Sequence, residues 1–151
     1  MKRIWTLALL MIFLLTGCSK TAVPEIDEYT WTMDTIQSVN NNGQIIAHGP
    51  GSTAGAGDFA ETGTEAPLEM FLICEAENGV LTITDQTNHK TYTGTYKTAG
   101  TSPESVTYEV TVDGTDGMAT VAMTEYHNGD QVPTLVMRLG EWTIYFYALN
   151  K

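Results

Sequence analysis

From residue 29 onward, apolar and polar side chains alternate in short runs, with asparagine, aspartate or glycine standing between the runs. A period of two is what a strand shows when one face meets a core and the other meets water. The clearest run is 105–113, where Val106, Tyr108, Val110 and Val112 interleave with Thr107, Glu109, Thr111 and Asp113. Comparable runs predict strands at 29–39, 44–48, 68–77, 80–85, 91–98, 118–126, 134–139 and 142–149. The connections are hairpin-sized: Asn41-Asn42-Gly43, Asn78-Gly79, Asp113-Gly114, Asn128-Gly129-Asp130 and Gly140-Glu141. Asn-Gly and Asp-Gly supply the left-handed backbone that a two-residue hairpin needs. No stretch of useful length carries a helical period.

The pattern therefore predicts an all-β domain, an antiparallel up-and-down meander of eight or nine strands. So many sequential hairpins leave two open edges, and pairing the first strand with the last removes both. A closed barrel is the leading architecture, with a β-sandwich as the alternative. One segment, 49–66, breaks the regularity with five glycines and is read as an insertion over one mouth. The presumed inner face gathers Trp31, Met33, Met70, Leu72, Tyr92 and Tyr96 from the first half of the domain. Tyr108, Met123, Met137, Trp142 and Phe146 join them from the second half. These residues suit the lining of an apolar pocket. They suit a solid core equally, because a barrel of eight strands is just wide enough to be filled by its own side chains or to hold one small ligand.

A tryptophan in the opening strand (Trp31), the meander, and an aromatic closing strand from Trp142 to Tyr147 together resemble the lipocalin-like, or calycin-type, small bacterial lipoproteins. The resemblance spans 29–151 and implies a barrel that binds a small apolar ligand. Tyr29 stands where lipocalins usually carry a glycine.

Ahead of the domain, Lys2 and Arg3 precede an apolar segment at 4–15, the build of an export signal. Twelve residues make a helix of about 18 Å, short of the roughly 30 Å hydrocarbon core. The segment closes on Leu15-Thr16-Gly17-Cys18, which resembles the lipobox of bacterial lipoproteins. That resemblance implies cleavage between Gly17 and Cys18, a diacylglycerol thioether on the Cys18 sulfur, and an extracytoplasmic protein held to the cell membrane, or to the outer membrane of a two-membrane host. The organisation expected is a signal peptide at 1–17, a lipidated tether at 18–28 and a barrel at 29–151. At about 3.5 Å per residue such a tether reaches roughly 35 Å.

Charge and chemistry then narrow the function. The 151 residues carry a formal charge of -11, and loss of Lys2 and Arg3 with the leader makes the remainder more acidic still. Nucleic acid and anionic lipid headgroups are thereby disfavoured as partners. With Cys18 alkylated, Cys74 has no intrachain disulfide partner, and its place in an alternating strand predicts an inert buried thiol. His48, His89 and His127 fall at strand ends or turns without metal-ligand spacing. The carboxylates of Asp113-Gly114-Thr115-Asp116-Gly117 lack the spacing of a calcium loop and are explained by a hairpin. The glycines after Gly49 lack the following helix and lysine of a phosphate loop. No serine sits in a nucleophile elbow. The expectation is a membrane-anchored binding module, not an enzyme, with no catalytic residue, metal or cofactor. Its partner would be a small apolar ligand or, alternatively, an envelope protein met by a filled barrel through the surface around Tyr145 and Tyr147.

Overall fold

A computed structural model describes residues 22–38, 44–49, 68–125 and 128–149. The leader with Cys18, the turn at 39–43, most of the 49–66 insertion, and His127 lie outside the described residues. Ten strands follow in order: β1 (Thr30–Ser38), β2 (Gln44–His48), β3 (Leu68–Glu69), β4 (Leu72–Glu77), β5 (Val80–Asp85), β6 (Lys90–Thr101), β7 (Ser105–Val112), β8 (Thr115–Glu125), β9 (Gln131–Leu139) and β10 (Trp142–Leu149). Among the described residues there is no helix.

Strands β4 to β10 form an antiparallel meander, and β10 closes it on β1 from Thr30↔Leu149 to Ser38↔Trp142. The other edge of β1 pairs with β4 at Trp31↔Cys74 and Thr32↔Ile73. The result is a closed barrel of eight strands, so the sandwich alternative is set aside. Higher along that same edge, β2 pairs with Thr35 to Ser38, and the two-residue β3 lies parallel to β2. The predicted strand at 68–77 is accordingly two strands. Met70 N–H bonds the His48 carbonyl and Phe71 C=O receives Gln86 N–H, so the chain leaves β2 and crosses to β5 at this point.

Local chemistry explains the remaining features. Asn78 and Gly79, like Asp113 and Gly114, hold φ between 47° and 82°, the paired left-handed conformation of a type I′ turn. Pro133, expected to precede a strand, lies inside β9 opposite Met123. The β9–β10 ladder ends one residue later, at Thr134↔Tyr147, so the missing N–H of Pro133 costs the β9–β10 ladder no hydrogen bond. Gly94 and Gly117 permit close backbone approach where the sheet coils: a Cβ at either would meet the Thr111 or Arg138 carbonyl oxygen at 2.2 or 2.0 Å.

In β1 simple alternation fails. Trp31 and Met33 point inward, but the β1–β10 register shifts between Met33 and Thr35, leaving Asp34 as a bulge. Inward phase resumes at Ile36, opposite inward Ile144. The segment before β1 also departs from expectation. Residues read as tether are folded: Val23 packs against the core, Pro24 is buried and Ile26 is fully buried. Val23, Pro24 and Ile26 therefore belong to the packed domain.

Candidate functional site

Three places gather the residues with functional potential: the barrel interior, its lower mouth beside the start of β1, and the outer face of the closing seam. Of the predicted lining residues, Trp31, Met33, Leu72, Tyr108, Met137 and Phe146 converge in the interior and are buried. Leu81, Val106, Ala119, Val121, Leu135 and Cys74 interleave with them from neighbouring strands. Trp31, Met33, Leu81, Ala119, Val121, Leu135 and Met137 are each 0% exposed. At that value there is no room for a water molecule against the side chain, whether from outside or from an internal void. The middle of the barrel is filled.

The other predicted lining residues sit toward the rims. Met70, Tyr92 and Tyr96 are half-buried against the core, Met123 is half-buried near the lower end of β8, and Trp142 is 36% exposed at the top of β10. Trp142 has the inward phase of Ile144 and Phe146 but occupies the first residue of its strand, beyond the packed layers. At the upper end the Lys90 ammonium stands 4.9 Å from the centre of the Tyr92 ring.

The lower mouth is closed from within the chain. Residues 25–28 form a turn in which Glu28 N–H bonds the Glu25 carbonyl and the Glu28 carboxylate receives Glu25 N–H. The turn presents Ile26 to the barrel. The Trp31 indole N–H donates to the Ile26 carbonyl at 2.7 Å, and Ile26 N–H donates to the Tyr108 hydroxyl oxygen at 3.1 Å. The Tyr108 hydroxyl in turn donates to the Glu25 carboxylate. Each polar atom that Trp31 and Tyr108 carry into the interior is thus satisfied by this turn. Tyr96 meets Tyr108 edge-to-face at 5.8 Å, and Tyr29 lies tilted on Trp31 at 5.7 Å. Burial pushes the Tyr108 phenol well above its ordinary range, and the bond to Glu25 adds to the shift. Tyr96 is raised too, first by burial, with Asp27 contributing. This stopper was missed from sequence because 19–28 has no period and contains Pro24; the isolated Val23 and Ile26 were the only signals.

On the outer face of the seam, Thr32 lies between Tyr147 and Ile73 across the two ladders, and Thr35 lies opposite Tyr145. Thr32, Thr35 and Thr143 are buried although they point away from the interior, and Tyr145 and Tyr147 are half-buried. The Thr32 hydroxyl is 3% exposed as a residue and has no hydrogen-bond partner among the described residues.

Cys74 is free and fully buried, with its thiol pushed up to about 12 by burial and then by the Glu75 charge. A thiol held in that state is a poor nucleophile. Among the described residues no three His, Cys, Asp or Glu side chains are grouped to hold a metal ion. Asp113 and Asp116 belong to the β7–β8 hairpin, where Thr111 donates to the Asp116 carboxylate. Of the two described histidines, His48 ends β2 and His89 closes the β5–β6 turn.

Comparison with protein-family models, with curated proteins and with solved structures finds no match to the chain.

Proposed function

We propose that this protein is a lipid-anchored, extracytoplasmic interaction module: Cys18 carries the anchor, and a filled barrel displays an outer surface to an envelope protein. The observation that favours the interaction module over the ligand carrier is the packed middle of the barrel, where side chains from β1, β5, β8 and β9 are fully enclosed by one another. Among the outer surfaces, the seam around Tyr145 and Tyr147 suits a protein partner best. Tyrosine offers contact area at low entropic cost, and half-burial preorganises both rings. The surplus of acids elsewhere keeps the domain soluble beside a lipid surface.

Two measurements test the parts separately. Replacing Cys18 with serine is expected to move the protein from the membrane fraction to the soluble fraction; unchanged fractionation and mature mass would defeat the anchor. A photo-crosslinking residue at Tyr147 is expected to yield one discrete adduct in the host envelope, while the same residue at Thr93 on the opposite wall yields none. Equal labelling from both positions would defeat the seam as the contact surface.

A further inference from the structure

We infer that the barrel stands on the bilayer in one orientation, with the mouth stoppered by Ile26 turned toward the lipid. The inference rests on the anchor at Cys18 and deepens it by naming the surface of the domain that faces the membrane. A tether running to residue 28 would let the domain tumble through about 35 Å of reach. The stopper removes most of that freedom. Val23 already packs against the core, Pro24 is buried, and Ile26 is fixed by bonds to Trp31 and Tyr108. Five residue steps separate Cys18 from Val23, at most about 17 Å of extended chain. That reach is shorter than the barrel itself, since strands of eight or nine residues tilted by about 40° span roughly 20–25 Å along the axis. The opposite mouth therefore cannot reach the lipid headgroups while the stopper is in place.

The chain path fixes which features share the anchored end. Beside the start of β1 lie the Asn78-Gly79 turn, the turn from Thr101 to Ser105, and the end of β10. Two of the large apolar side chains most exposed on the domain, Val80 at 49% and Leu149 at 43%, belong to this rim. Glu25, Asp27, Glu28, Glu77 and Glu104 are exposed in the segments that make up this end of the barrel. The lipid surface that fits such a rim is zwitterionic; an anionic one would be repelled.

The test uses the full-length protein, processed and acylated in its host and reconstituted into phosphatidylcholine vesicles that carry an energy-transfer acceptor on the headgroup. A single new cysteine takes a donor dye at either Thr101→Cys, on the anchored rim, or Thr87→Cys, in the β5–β6 turn at the far end. Under the anchor reading the Cys18 sulfur is already consumed, and Cys74 is sealed, so the new thiol alone reacts. Transfer from position 101 is expected to exceed that from position 87 about twofold, given ends roughly 20 Å apart. Inserting ten glycine and serine residues after Lys20 leaves the stopper intact and is expected to erase the difference. Equal or reversed transfer, or a difference that survives the long leash, would overturn the orientation alone. Failure of both labelled proteins to float with the vesicles would overturn the anchor and the orientation together.

Discussion

Strands β1 and β6 sit in opposite walls of one closed sheet, both paired on either side, yet their surroundings differ. In β1 six of nine residues are buried, including outward-facing Thr32 and Thr35. In β6 none of twelve is buried. The β1 inner column is Trp31, Met33 and Ile36, while the β6 inner column is Tyr92, Gly94 and Tyr96, with no side chain in the middle and a phenol at either end. Outward, β6 carries Thr91, Thr93, Thr95 and Lys97 in open water. Pairing alone does not make a strand important. The wall that carries the fold is the one whose side chains are enclosed on both faces, and the other wall supplies closure.

Truncation of Trp31 gives the largest expected effect. Trp31→Ala removes the biggest interior side chain and the donor to Ile26, and is expected to cost about 3–5 kcal/mol in urea unfolding. Tyr92→Ala on β6, half-exposed, is expected to cost less than half as much; equal losses would erase the distinction between the walls.

The next effect is a pH dependence at the seam, where Cys74 faces Trp31 across the ladder. Because the folded thiol is pushed up to about 12, the unfolded chain releases its proton first as pH rises. Stability is therefore intact below about pH 9 and lost above it, at about 1.4 kcal/mol per pH unit for this one group. Denaturation midpoints between pH 8 and 10 check it, and Cys74→Ala is expected to flatten the slope. A slope unchanged in the variant would assign it to other groups.

A smaller contrast separates the outer faces. Thr32→Val removes a buried hydroxyl without a hydrogen-bond partner among the described residues, and is expected to stabilise by about 1 kcal/mol. Thr93→Ala, exposed on β6, is expected to change stability by less than about 0.5 kcal/mol. Destabilisation by Thr32→Val would mean that its hydroxyl does bond in solution.

Much of this was legible in the pattern of side chains. The run at Ser105–Val112 and the Asn-Gly and Asp-Gly turns encode pairing locally, so the meander follows from short-range chemistry, and its closure from the need to remove two open edges. The Asp34 bulge was hard to read, because the run from Thr30 to Asp34 alternates regularly and only the single out-of-phase Ile36 signals the extra residue; the phase is set by β10 and β2, which arrive from far along the chain. The stopper was hidden for a related reason. Ile26 has no periodic neighbour, and its bonds to Trp31 and Tyr108 exist only once the barrel has formed. Filled core and ligand cavity demand the same residues, so Trp31, Met33 and Met137 could not choose between them until their packing was known.

The central claim is that the barrel interior is full and that the protein works through its outside. Native mass spectrometry of the acylated protein extracted from its own host tests this most directly. The account predicts a mass equal to the mature chain plus its covalent acyl groups. A stoichiometric non-covalent adduct that leaves on collisional activation would contradict it.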